Sequence, residues 1–131
     1  MRSIEIERHV KNLKLTERQR AIVTGLLLGD GHLETQNNGR TFRLKVEHGI
    51  AQKAYVDWLH EEFKDWVRTP PSERVKLSFG KLIMSYGFTT YSSGLLRFYA
   101  QQFYQKRKKI VPKIIGKILN PLAMAIWFMD D

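Results

Sequence analysis

Two apolar runs in this chain end on acids. In VTGLLLGDGHL the run reaches Asp30, set between Gly29 and Gly31, and in PLAMAIWFMDD it reaches Asp130 and Asp131. The unpaired carbonyls at a helix C-terminus carry partial negative charge, so an acid there is disfavoured by a few tenths to about 1 kcal/mol. That arrangement occurring twice asks for compensation. A divalent cation supplies it, because carboxylates and free carbonyls are the hard oxygen ligands that Mg²⁺ prefers. Beside a phosphodiester such an ion polarises a phosphoryl oxygen and activates a water. Each aspartate alone reads better as a surface residue following a helix; it is the pair that points to a metal site.

The elements that would carry these acids are marked by local chemistry. Thr16 and Gln19 have capping-box spacing ahead of an apolar run, which predicts a helix over 16–29. Gly25 and Gly29 lie one turn apart in it, each costing helix stability by roughly 1 kcal/mol, and small residues at that spacing let another backbone come close. The bland alternative is a helix end capped at Gly29 or Gly31. At the other end, Asn120 is placed as an N-cap and Pro121 as the first residue of the last helix.

Between them the order reads helix, two strands, helix, two strands, helix. A short strand over 33–36 precedes the NNGR turn. RTFRLKVEHG then alternates Phe42, Leu44 and Val46 against Thr41, Arg43, Lys45 and Glu47. AQKAYVDWLHEEFKDWV sets Tyr55, Trp58, Leu59, Phe63 and Trp66 at helical spacing as a packing stripe. Two strands joined at Gly80 and Lys81 follow the TPPS break, with Val75, Leu77 and Phe79 facing away from Arg74, Lys76 and Ser78. The fold class is α+β: an αββαββα domain with a four-stranded antiparallel sheet and helices on one face. Residues 1–119 form that domain and residues 120–131 a final helix beyond it.

Composition narrows the chemistry. Lys and Arg outnumber Asp and Glu by 22 to 13, a formal charge of +9 with pI near 9.9, as expected of a protein that meets a polyanion. The absence of cysteine excludes disulfides, thiolate zinc sites and cysteine nucleophiles. His9, His32, His48 and His60 lack the i, i+4 spacing of a zinc helix. The N-terminus mixes acids and bases without an apolar core, and no apolar run is long enough to span a bilayer, so an intracellular location, cytoplasmic, nucleoid or organellar, is expected. The free sheet face would carry Arg43, Lys45, Arg74, Lys76 and Lys81. A two-stranded ribbon fits the DNA major groove, where Arg and Lys reach guanine edges and phosphates. A solvated strand face would look similar.

VTGLLLGDG, residues 23–31, resembles the first signature of the LAGLIDADG homing endonucleases, and MAIWFMDD, residues 124–131, resembles the second without its final glycine. The basic strands, LKVEH, the PP break and KKIVP resemble the two-motif, single-chain branch of that family. The resemblance implies two signature helices side by side, with Asp30 and Asp131 as the essential metal-binding acids. The carbonyls of Gly29 and Asp130 are implied as further ligands. It implies close helix packing through Gly25, Gly29, Ala123 and Ala125, and a basic residue near the scissile phosphate, Lys109 with Lys108 as the alternative. The sheet residues, with Arg40 in the turn ahead of them, are implied to bind double-stranded DNA. The implied cofactor is Mg²⁺, with Mn²⁺ as substitute and Ca²⁺ binding without supporting cleavage. The implied activity is site-specific cleavage of both strands by an intron- or intein-associated enzyme. A non-catalytic module, an intron RNA maturase or a DNA-binding regulator, is the alternative. Such an enzyme continues into a second half-domain, supplied by the same chain or a partner, so residues 1–131 alone are expected to bind DNA weakly and cut it poorly.

Overall fold

A computed structural model describes residues 3–130, so Asp131 lies outside the described residues. The elements are α1 (Ile4–Lys11), α2 (Glu17–Leu28), β1 (His32–Glu34), β2 (Arg43–Gly49), α3 (Lys53–Glu62), β3 (Ser72–Ser78), β4 (Lys81–Thr89), α4 (Arg97–Phe103), β5 (Tyr104–Gln105), β6 (Lys108–Lys109), α5 (Ile115–Ile118) and α6 (Pro121–Asp130). Strands β1 to β4 form one antiparallel sheet in the order β1-β2-β4-β3. The αββαββα order is therefore present, with α1, the β5-β6 hairpin and the single turn of α5 added to it.

Local signals set the ends of the two signature helices. Thr16 and Gln19 exchange both capping-box hydrogen bonds, and Gly29 is the C-cap of α2. Asn120 Oδ1 accepts the Ala123 N–H at 2.8 Å, which starts α6 at Pro121. Helix α2 is covered on all sides from Ala21 to Leu27, so it forms the middle of the core and not an amphipathic surface helix.

Sheet register separates two chemistries. The pairs Leu33↔Leu44, Val46↔Phe88 and His48↔Tyr86 share one face. On that face Leu33, Leu44, Val46, Phe88 and Tyr86 are buried with Ile22, Leu26, Leu59, Phe63, Trp66 and Phe103 from the covering segments. The pairs Glu34↔Arg43, His32↔Lys45, Lys76↔Ile83 and Ser78↔Lys81 lie on the other face.

Several expectations change. The distal half of the β3-β4 hairpin runs past the covering helices, so Val75, Leu77 and Phe79 are 61%, 74% and 104% exposed instead of packed. Its tight turn is formed by Phe79 and Gly80, both with positive φ, one residue earlier than the expected Gly80 and Lys81, and Lys81 already pairs with Ser78 in the strand. Trp58 is not core: it sits one step off the buried line of Val56, Leu59 and Phe63, and Arg18 lies over its ring at 5.9 Å. Residues 105–109, the basic stretch QKRKK for which no element was expected, lie in a hairpin that turns at Lys106 and Arg107, both with positive φ. On α6 the buried residues are Ala123, Ile126 and Asp130, and Ala125 is exposed, since one residue advances about 100° around a helix.

Candidate active site

Helices α2 and α6 meet where glycine removes the side chain. A Cβ added at Gly25 would lie 2.5 Å from the Ala123 carbonyl oxygen and 2.6 Å from Ile126 Cβ. One turn on, a Cβ at Gly29 would lie 2.5 Å from Asp130 Oδ2. At this contact Gly25 lies against Ala123 and Ile126 and Gly29 against Asp130, while Ala125 is exposed and takes no part.

This contact brings the two acid-bearing helix ends together. The Asp30 carboxylate belongs to an exposed residue. Its backbone N–H donates to Asp130 Oδ2 at 2.6 Å. The Asp130 side chain has no exposed surface, and its Oδ1 also accepts from His48 Nε2 at 2.7 Å and from the Tyr55 hydroxyl at 3.2 Å. An ionised carboxylate only accepts, so His48 donates from Nε2. The Asp130 hydrogen bond raises the His48 imidazole above its ordinary pKa, against burial, and the charges of Asp130 and Asp30 add to the rise. Burial, then the neighbouring Asp130, pushes the Tyr55 phenol upward.

Lys109 closes the other side. From β6 its Nζ donates to the carbonyls of Gly29 at 2.6 Å and Gly31 at 2.7 Å, the two residues that flank Asp30. Burial lowers the Lys109 pKa, and the Asp30 and Asp130 charges oppose that shift. The Gly29 carbonyl, expected as a metal ligand, is therefore the acceptor of an ammonium. The described residues contain no group of three or more His, Cys, Asp or Glu able to hold a metal ion. Hard oxygen donors are nonetheless at hand in Asp30, and a Mg²⁺-type ion is commonly held by one or two carboxylates with waters and phosphates completing its shell. Asp131 falls outside the described residues.

Of the sheet residues, Arg43, Lys45, Arg74, Lys76 and Lys81 share the outer face by register, and Arg40 is exposed in the β1-β2 connection. That face is less uniformly basic than expected. Glu34 accepts from Arg43 Nε at 3.1 Å, and Glu47 pairs with Lys76. Strand alternation had already set Glu47 on the side of Arg43 and Lys45, whereas Glu34, on the short β1, was not foreseen on this face. Sequence reasoning also missed His48 and Tyr55 at the helix ends. The signal for His48 was the same alternation: it follows Phe42, Leu44 and Val46 on the inward parity.

The LAGLIDADG DNA endonuclease family matches residues 20–131, including both acid-ended helices. The chain belongs to that family. It is 32% identical over 129 residues to the DNA endonuclease I-ChuI of Chlamydomonas applanata, covering 91% of this chain and 59% of that protein. It is 29% identical over 121 residues to the cytochrome b mRNA maturase bI2 of Saccharomyces cerevisiae, covering 85% of this chain and 29% of that one. The fold of the homing endonuclease I-WcaI, solved bound to its DNA recognition sequence, superposes with a TM-score of 0.89 at 23% identity, over 98% of this chain and 57% of that chain. The 131 residues thus correspond to one half of a LAGLIDADG fold.

Proposed function

We infer that this chain forms the N-terminal half of a divalent-metal-dependent, site-specific DNA endonuclease. The observation that supports it is the junction of α2 and α6, where Asp30 is exposed at the end of a buried helix and Lys109 lies across its flanking carbonyls. In this reading Asp30 and Asp131 hold the cation, with the Asp130 carbonyl as a further ligand. Mg²⁺ is the physiological ion, Mn²⁺ substitutes, and Ca²⁺ supports binding alone. A bound cation supplies Lewis-acid polarisation of the scissile phosphate.

The chain's own residues do the positioning. The outer sheet face, through Lys45, Arg74 and Lys81 with Arg40, Arg43 and Lys76, lies along the major groove and holds phosphates and base edges. Lys109, bound to two carbonyls, stands beside Asp30 as a cation able to stabilise charge developing on the phosphate. Basic side chains track DNA here as phosphate contacts, so affinity falls steeply with salt. A second half, contributed by the rest of a longer chain or by a partner, completes the DNA-binding surface.

Likeness to an mRNA maturase over most of the chain supports one alternative, binding of intron RNA without cleavage of DNA. The two are separated by Asp30→Asn in the complete gene product. Under the endonuclease reading the variant loses cleavage and keeps DNA affinity. An unmodified protein that binds structured intron RNA and never nicks DNA in Mg²⁺ would overturn the endonuclease reading.

A further inference from the structure

We propose that Asp130 is a positioning residue: it holds the Asp30 peptide in place from within the core, and His48 and Tyr55 are its supports. An acid at a helix C-terminus is unfavourable, and one with a fully buried side chain is more so unless its oxygens are paired. Asp130 meets both conditions and is paired at each oxygen, by Asp30 N–H on Oδ2 and by His48 and Tyr55 on Oδ1. Those donors come from the end of α2, from β2 and from α3. Gly29 makes the contact possible, because any side chain there would collide with the same Oδ2.

The carboxylate is therefore directed at the backbone of Asp30 and not at solvent or an ion. On the opposite side Lys109 holds the carbonyls of Gly29 and Gly31. An anion on the Asp30 N–H and a cation on the Gly29 carbonyl hold the Gly29–Asp30 peptide, and the Gly31 N–H, donating to the Leu26 carbonyl at 2.9 Å, holds the peptide that follows the Asp30 Cα. The exposed carboxylate is left with only its own side-chain torsions free. A displacement of about 1 Å at such a group costs on the order of a hundredfold in rate, which is the role a buried acid can serve here without touching substrate.

The inference rests on the endonuclease reading for its kinetic consequence but not for the contact itself. The test uses Asp130→Asn, His48→Gln and Tyr55→Phe in the complete gene product. Asp130→Asn is expected to slow single-turnover cleavage by about ten- to a hundredfold while DNA affinity in Ca²⁺ changes by no more than about twofold. Tyr55→Phe and His48→Gln give smaller losses in the same pattern and keep the fold testable if Asp130→Asn does not accumulate. The second readout is the Asp30 amide in a nitrogen-15-labelled sample, where a charge-assisted hydrogen bond gives a deshielded, slowly exchanging proton. Loss of that signature together with slower cutting supports the proposal. An unchanged Asp30 amide in Asp130→Asn overturns it, as does a cleavage loss fully matched by lost DNA binding. If the unmodified protein does not cut DNA, the endonuclease reading fails and the amide readout alone decides the positioning role.

Discussion

The backbone N–H of Asp30 donates at 2.6 Å to the buried carboxylate of Asp130, a residue 100 positions further along the chain. The contact joins the ends of α2 and α6 and depends on the absence of a side chain at Gly29. The helix pair should accordingly be sensitive to very small additions of volume.

Gly25→Ala is the mildest such addition. Alanine gains about 1 kcal/mol of helix propensity over glycine. Its methyl would however lie 2.5 Å from a backbone oxygen of Ala123, which cannot swing aside. Overpacking of this kind costs about 1 to 3 kcal/mol, so a net loss of stability is expected, read as a lower midpoint in chemical denaturation. A midpoint raised by the substitution would mean the helices are not in contact at this position.

Glu47 tempers the basic face. Burial raises its carboxyl pKa, but the Lys76 hydrogen bond and the charges of Lys76, Lys45 and Arg74 outweigh that and hold it below the ordinary value. Glu47→Gln removes a negative charge from the sheet and frees Lys76. Binding of duplex DNA should tighten by about two- to tenfold at low salt. Lys45→Gln should weaken binding and lower the salt slope by roughly 1 if Lys45 contacts a phosphate. Fluorescence anisotropy across a salt series measures both, and no change for either variant would place DNA on another surface.

Lys109→Met removes the cation beside Asp30 and leaves two carbonyls unpaired. Cleavage should fall by about a hundredfold or more, in line with removing a charge-stabilising donor from an active site, with DNA affinity changed little. Lys109→Arg, longer and forked, should restore part of the rate. Equal rates for all three proteins in single-turnover assays would remove Lys109 from the proposed chemistry.

Tyr86 links the sheet to α3 through a 2.6 Å hydrogen bond from its hydroxyl to Asp57. That bond first, then burial and the charges of Asp57 and Glu73, pushes its pKa up to about 12 from an ordinary 10. The neutral phenol is thus favoured in the folded state. Its contribution to stability is complete below pH 10 and is lost as pH rises from 10 towards 12. Alkaline titration followed by tyrosinate absorbance should show this window flattened in Tyr86→Phe; an identical alkaline stability profile would mean the bond contributes nothing.

Several features were legible in the sequence because they are set by neighbours along the chain. The capping box at Thr16 and Gln19, the Asn120 cap with Pro121 behind it, and the strand alternation through Leu44 and Val46 all rest on contacts within a few residues. The glycines of α2 likewise announced a close approach, since nothing within the helix calls for them. Periodicity, however, marks only which residues share a face; what covers that face depends on the reach of distant elements. Val75, Leu77 and Phe79 alternate like core residues and are exposed because the hairpin outruns its helices. Ala125 looked equivalent to Ala123 until the packing of α6 on α2 left Ala123, Ile126 and Asp130 as its buried line. Asp130 looked like the poorer of two neighbouring acids. Its burial beneath Gly29 and its partners from β2 and α3 were decided only by tertiary packing, because desolvation and hydrogen-bond partners across a core are properties of the assembled fold.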